Sequence, residues 1–87
     1  SRNRPNPFNP TTRIALSLPG PGHARLTVYD VTGRAVRTLV DDALSAGAND
    51  VVWNGVDDAG RPCASGVYVY RLATTGGATS RRMTLLR

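Results

Sequence analysis

Short stretches that alternate between apolar and polar residues recur along this chain, and turn-forming residues separate them. The segment at 13–18, "RIALSL", alternates with a period of two, "PGPG" at 19–22 interrupts it, and "ARLTVY" at 24–29 alternates again. Such a period places every second side chain on one face of a strand, and no long segment has the period of about 3.6 residues that marks a helix. Recurrence at intervals of roughly 8 to 12 residues is typical of a β-sandwich, so the chain is predicted to be all-β.

About seven short antiparallel strands are predicted. They are expected at 13–18, 24–29, 34–40, 49–54, 61–64, 66–73 and 79–86. The piece at 61–64 contains Pro62, which has no N–H, so it is expected at an edge, and the polar stretch at 41–47 is expected to be a loop. Trp53 is the predicted centre of the core, because its large aromatic side chain lies on an alternating strand. Around it we expect Ile14, Leu26, Val28, Val36, Tyr68, Tyr70, Leu72 and Met83.

Two polar stretches are predicted to be turns. Asp30 can accept a hydrogen bond from the backbone two residues on, and Gly33 can supply the positive φ that closes a hairpin. In the second stretch, Asp58 is expected to cap the turn and Gly60 to take a positive φ. The same residues, "NGVDDAG" at 54–60, carry the oxygen atoms that a calcium loop needs, but an EF-hand ends in a Glu and this chain has none. The pattern favours a plain turn and leaves the calcium loop as an alternative.

The formal net charge is +5, and all eleven basic residues are arginine. A compositional bias of the genome would account for this, and so would an anionic partner such as acidic lipid or lipopolysaccharide. Nucleic acid is not expected as a partner, because the arginines are spread along the chain and are not interleaved with aromatic residues that could stack bases.

Side chains that carry out catalysis or bind metals are scarce. The single cysteine, Cys63, cannot form an internal disulfide and is expected to fill a small apolar space. With one histidine, His23, the chain offers no plausible zinc site. A general-base role for His23 would need a nucleophile and an orienting acid close to it in space, and a histidine in a turn is usually solvated. We therefore expect no enzyme activity and no cofactor.

One domain is expected at 5–87, preceded by linker residues at 1–4. No apolar run approaches the roughly 18 residues of a membrane span. Because the chain begins at Ser1 and ends in a strand, we expect a piece from the C-terminus of a longer protein. The opening "PNPFNPTT" at 5–12 is expected to be extended and stiff, since proline restricts the residue before it. Phe8 is expected to cover the end of the sandwich.

Four segments occur in an order that resembles known families. They are "PNPFNPTTRIALSLP" at 5–19, "LTVYDVTGRAVRTLV" at 26–40, "GANDVVWNGVDDAGRPCASGVYVYRLAT" at 47–74 and "SRRMTLLR" at 80–87. Together they resemble the C-terminal sorting domains of proteins exported by the bacterial type IX (Por) secretion system. They also resemble the Ig-like domain of FlgD, the flagellar hook-capping protein. The resemblance implies an Ig-like β-sandwich of about seven antiparallel strands.

The sorting-domain resemblance implies a non-catalytic signal at the end of a larger cargo protein. The partners would be the upstream cargo domain in the same chain and the outer-membrane translocon with its shuttle proteins. The cargo would pass through the periplasm to the cell surface or the medium and could be attached to anionic lipopolysaccharide. The residues that match the motifs of the family are Pro5, Asn6, Pro7, Tyr29, Asp30, Gly33, Arg34, Gly66, Tyr68, Leu72, Arg81, Arg82, Met83, Leu85 and Leu86. Arg82 stands where sorting domains usually carry a lysine.

Two other functions stay open at this point. The segment at 53–68, "WNGVDDAGRPCASGVY", resembles the FlgD domain as much as a sorting signal, which implies a structural module in assembly or a spacer. The three tyrosines could instead form a carbohydrate-binding face, for which Tyr29 is the more exposed candidate. Tyr68 and Tyr70 lie on the most apolar strand, where packing in the core is the better interpretation.

Overall fold

The computed structural model describes residues 11–86, and these form six strands. The strands are β1 (Thr12–Leu18), β2 (Gly22–Tyr29), β3 (Ala35–Leu44), β4 (Gly47–Trp53), β5 (Gly66–Thr74) and β6 (Gly77–Leu85). Within this described part of the chain, no helix is long and apolar enough to cross a membrane.

The strands form two sheets, and every pairing is antiparallel. The smaller sheet pairs β1 with β4, and the larger has the order β3-β2-β5-β6. β2 lies inside the larger sheet, where Leu26 is aligned with Val40 on β3 and with Leu72 on β5. The predicted all-β sandwich is therefore confirmed.

The core lies between the two sheets, because the alternation of each strand turns one apolar row inward. Trp53 is fully buried, as predicted, and the edge of its ring meets Tyr68 with the centroids 5.1 Å apart and the planes at 69°. All the predicted core residues are buried or half-buried. Four buried residues were missing from the predicted set although they share its alternating faces: Leu16, Leu18, Ala24 and Leu85, exposed by 5%, 5%, 0% and 1%.

Three local predictions were wrong. The expected strand at 61–64 is a single bridge between Val56 and Pro62, which accounts for six strands instead of seven. The expected loop at 41–47 is mostly strand, since β3 continues to Leu44 alongside β2. Aspartate has a low strand propensity, and here the pairing with β2 overrides it. Arg34, expected to open the third strand, belongs to the turn before it.

Some expectations fall on residues outside the described range. They concern Pro5, Asn6 and Pro7 in the sorting motif and Phe8 as a cover for the core. They stay predictions.

Candidate interaction surfaces

The turn at 30–34 is built around one carboxylate. Asp30 Oδ1 accepts hydrogen bonds from the N–H of Thr32 at 2.9 Å, from its hydroxyl at 2.6 Å and from the N–H of Arg34 at 3.1 Å. The backbone closes the same turn, with Gly33 N–H donating to the Asp30 carbonyl at 3.0 Å. Gly33 has a φ of 87°, as predicted, a conformation that residues with a side chain rarely adopt.

The turn at 57–61 repeats the backbone hydrogen bonds of this arrangement and lacks the hydroxyl bond, because Ala59 stands where the first turn has Thr32. Asp57 Oδ1 accepts hydrogen bonds from the N–H groups of Ala59 and Arg61, both at 2.9 Å. Gly60 N–H donates to the Asp57 carbonyl at 2.9 Å, and Gly60 has a φ of 83°. Both turns have the sequence Asp-x-x-Gly-Arg, a repeat that our sequence analysis missed. The capping residue is thus Asp57, and the prediction of Asp58 was wrong.

Asp58 covers the outer edge of β3 instead. Its N–H donates to the carbonyl of Val36 at 2.9 Å, and its Oδ1 accepts a hydrogen bond from the N–H of Thr38 at 3.0 Å. One residue therefore satisfies a donor and an acceptor of an edge strand, as a neighbouring strand would. Since an uncovered edge invites pairing with other chains, this contact protects one side of the larger sheet.

The hydrogen bonds in the two turns make the carboxylates stronger acids. The hydroxyl of Thr32 is the largest cause that holds the pKa of Asp30 below its ordinary value of 3.8, and the N–H of Arg61 is the largest cause for the pKa of Asp57. Each donor stabilises the charged form.

Acid should therefore weaken the fold through Asp30 and Asp57. Their folded-state pKa values lie below the unfolded value, so their contribution is present above about pH 4 and is lost as the pH falls through the folded values. In the double variant Asp30→Asn/Asp57→Asn, we expect the free energy of unfolding to vary less between about pH 5 and pH 2. Urea titrations across this range measure the difference. Identical pH profiles for the variant and the parent would contradict this assignment.

The motif residues on β5 and β6 are largely core residues. Gly66 is aligned with Leu85, and Tyr68 is aligned with Met83. Tyr68 is buried, and its hydroxyl donates to the carbonyl of Ala64 at 2.7 Å. The tyrosine corner of Ig-like domains makes the same kind of contact with backbone a few residues upstream. These positions contribute to packing, as does half-buried Leu72.

The exposed motif residues point to different surfaces. Arg81 and Arg82 are neighbours on β6, so they lie on opposite faces of the sheet. Arg82 is aligned with Val69, which is itself aligned with Tyr29, on the outer face of the larger sheet. Leu86 follows β6 and is 74% exposed. The structure therefore does not gather the motif into one continuous patch.

A groove opens between β1 and β6, which we call the β1/β6 groove. It contains two hollows of about 320 and about 340 Å³ that share Ser17, Leu72 and Thr79 as lining residues. Arg81 and half-buried Tyr70 line the second hollow as well. The groove is the place where the inner face of the larger sheet reaches the surface.

The remaining candidates for chemistry are engaged locally. His23 Nε2 lies 2.6 Å from Asp41 Oδ1, and both side chains are exposed. Half-buried Cys63 packs against the core around Trp53, which agrees with the predicted apolar role. Within residues 11–86, no group of three or more histidine, cysteine or acidic side chains could hold a metal ion. Asp57 and Asp58, the carboxylates of the calcium alternative, both accept backbone hydrogen bonds.

The tyrosines do not form a shared aromatic platform. Tyr68 and Tyr70 face the core, whereas Tyr29 is half-buried at the end of β2 and is aligned with Ala35 and Val69. A carbohydrate-binding face would therefore depend on Tyr29 alone among the three.

The antiparallel two-sheet sandwich and the hydrogen bond from the Tyr68 hydroxyl to upstream backbone are features of Ig-like domains. Comparison with protein families then identifies the kind: the chain belongs to the FlgD Ig-like domain family, whose model matches residues 3–78. The predicted resemblance to FlgD is thus confirmed. The predicted resemblance to type IX sorting domains is not shown by these comparisons.

Solved structures of FlgD have the same fold. FlgD from P. aeruginosa is 25% identical with a TM-score of 0.69, and the alignment covers 86% of this chain and 59% of that one. FlgD from Xanthomonas campestris, described in connection with hook capping essential for flagellar assembly, is 20% identical with a TM-score of 0.63 and coverages of 90% and 57%. The chain thus spans less than two thirds of these proteins. Comparison with curated proteins found no match.

Proposed function

We propose that this chain is a non-catalytic Ig-like module of the FlgD type, which acts in the assembly of a larger structure such as the flagellar hook. The observation that carries the proposal is the family match over residues 3–78, supported by the 25% identity to P. aeruginosa FlgD over 86% of the chain. The role of a whole FlgD protein is a proposal for this chain, because the chain spans only 59% of P. aeruginosa FlgD.

The local chemistry supports a structural role. The carboxylates that stand out in the sequence, Asp30 and Asp57, are each held by several hydrogen bonds within their own turn. Asp58 is held by the edge of β3. Carboxylates that are held in this way stiffen the loops that contain them. The domain offers a rigid body with one protected edge, which suits a building block.

A chimeric FlgD tests the assembly role. In a P. aeruginosa strain that lacks its own FlgD, a FlgD whose Ig-like segment is replaced by residues 5–87 should restore hooks and swimming motility. Electron microscopy of hooks and motility in soft agar are the measurements. A chimera that carries Trp53→Ala is the matched control, because its Ig-like segment loses the centre of its core. A stable chimera, present at the level of the native protein, that builds no hooks would refute the proposal.

Export by a type IX system is the second candidate function. It rests on the ordered motif set of the sequence, which includes Tyr68 and Met83. In this role the module would follow an upstream cargo domain and be recognised by the outer-membrane translocon and its shuttle proteins. The cargo would reach the cell surface or the medium and would be attached there to anionic lipopolysaccharide.

A reporter fused in front of residues 5–87 separates the two candidates. In a host with a type IX system, the assembly role predicts that the reporter stays in the periplasm. Export to the medium that is abolished by deletion of 81–87 would favour the sorting role. Export that survives the deletion would count against a sorting signal in the last strand.

A further inference from the structure

The two strands that border the β1/β6 groove each have an edge without a strand partner in the described structure. β1 pairs with β4 alone, and β6 pairs with β5 alone. Ig-like domains of the constant type have seven strands, three in one sheet and four in the other, whereas residues 11–86 form sheets of two and four. Residues 11–86 therefore cover the larger sheet only partly, and the part that they leave uncovered lies beside β1.

The side chains in the groove are partly polar and exposed, as in a binding site, and not uniformly apolar and buried, as in a closed core. The inner row of β6 continues from buried Leu85 and half-buried Met83 to Arg81 and Thr79, which are exposed. An arginine on the inner face of a sandwich would be costly if a sheet closed over it without an acidic partner. The arginines that form ion pairs within residues 11–86 are Arg13 and Arg61, and not Arg81.

We propose that the β1/β6 groove binds an extended, acidic peptide segment of another protein, which adds a strand to the sandwich. The backbone of the segment would pair with a free strand edge, apolar side chains would cover Tyr70 and Leu72, and a carboxylate would pair with Arg81. Strand addition of this kind takes affinity from backbone hydrogen bonds and specificity from alternate side chains. An arginine with a carboxylate makes a strong, directional pair.

The charge pattern of the chain argues against other occupants. The segment at 1–10 has no acidic residue, carries Arg2 and Arg4, and includes three prolines that cannot donate a backbone hydrogen bond. A second copy of this chain would bring a net charge of +5 to a groove that contains Arg81. The backbone of an acidic segment would pair with the strand edge, and one of its carboxylates would pair with Arg81.

The inference deepens the proposed assembly role and rests on it, because it names a surface through which the module would hold a partner. Peptide binding by the isolated chain can be measured without any hook or secretion machinery. A chimera that builds no hooks would contradict the proposed function, whereas a chain that binds no peptide would contradict this inference. The two failures can therefore be distinguished.

Arg81 and Arg82 provide a matched pair of variants for the test. The probe is a capped peptide of about nine residues, the length of a long strand, that alternates valine with aspartate. With the full chain at low salt, isothermal titration calorimetry should give an affinity that Arg81→Gln weakens about tenfold, whereas Arg82→Gln, equal in charge but on the other face, changes it little. A peptide with lysine in place of aspartate should not bind.

Backbone pairing is tested by amide hydrogen exchange. Bound peptide should slow the exchange of N–H groups along β1 or β6, and a peptide that is N-methylated at alternate residues should bind weakly. Equal losses of peptide affinity for Arg81→Gln and Arg82→Gln would overturn the proposal, because the binding would then depend on the net charge of the chain and not on the position of Arg81. Edge amides that are already protected without peptide would also overturn it, because the chain itself would then fill the groove.

Discussion

Replacing Trp53 with alanine should remove a large part of the stability of this domain. The side chain is fully buried, and truncation of a buried tryptophan costs about 3–5 kcal/mol. A domain of this size has a total free energy of unfolding of roughly 4–13 kcal/mol. The substitution also removes the hydrogen bond from Trp53 Nε1 to the carbonyl of Val56 at 2.9 Å, which leaves a part-buried acceptor without its partner.

Urea unfolding followed by far-ultraviolet circular dichroism measures this loss, because Trp53 is the only tryptophan and its fluorescence disappears with it. Val52→Ala is the matched control: its neighbouring side chain on β4 is 52% exposed and should cost less than about 0.5 kcal/mol. Trp53→Phe should fall between the two, since it keeps an aromatic ring and loses the hydrogen bond. If Trp53→Ala unfolded at the same urea concentration as Val52→Ala, the position of the core would be wrong.

Trp53 also illustrates why the core was predictable from the sequence. Strand alternation follows directly from the pleat of the backbone, so an apolar residue at every second position reports the buried face wherever one face is solvated. Trp53 and Val51 share such a face on β4, and both lie toward the core. Leu85 was omitted from the predicted core even though its strand pattern places it beside Met83.

The end of β3 could not be predicted in the same way. Asp41 and Asp42 are poor strand formers, and they resemble a loop when the sequence is considered locally. In the structure they are aligned with Arg25 and Ala24 on β2, so the strand continues because its neighbour does. This is tertiary context, which no local pattern records.

The second turn was only partly predictable. The spacing of three residues from Asp57 to Gly60 equals the spacing from Asp30 to Gly33, and this signal would have identified Asp57 as the capping residue. The role of Asp58 had no such signal. Its hydrogen bond to the N–H of Thr38 joins residues twenty positions apart and depends on how the turn packs against the edge of β3.

The groove was likewise beyond the reach of sequence patterns. The groove is open at β1 because, among residues 11–86, β4 is the only strand that pairs with β1. The additional strand that the sequence predicted at 61–64 is a single bridge in the structure. Arg81 was predicted as a motif residue, but no face of the sheet was predicted for it. The register of β6 against β5 aligns it with Tyr70 and thereby places it on the inner side.

Replacement of both turn glycines with alanine should cause the second largest loss of stability. Gly33 and Gly60 have φ values of 87° and 83°, and an added Cβ would meet no atom within 4 Å at either position. The cost therefore arises from the backbone conformation alone, at about 1–2 kcal/mol per residue, so the double variant Gly33→Ala/Gly60→Ala should lose about 2–4 kcal/mol. Thermal unfolding should show a midpoint lowered by on the order of 10–25 °C.

Gly20→Ala is the control for this prediction. A Cβ at Gly20 also meets no atom within 4 Å, but this glycine does not have a positive φ, so the same chemical change should leave the thermal midpoint unaltered or raise it slightly. Because Asp30 and Asp57 cap their turns only while the glycines hold the left-handed conformation, the double variant should also lose part of the stabilisation that disappears in acid. A double variant as stable as Gly20→Ala would mean that the two turns close without the positive φ, and the shared Asp-x-x-Gly-Arg geometry would have to be abandoned.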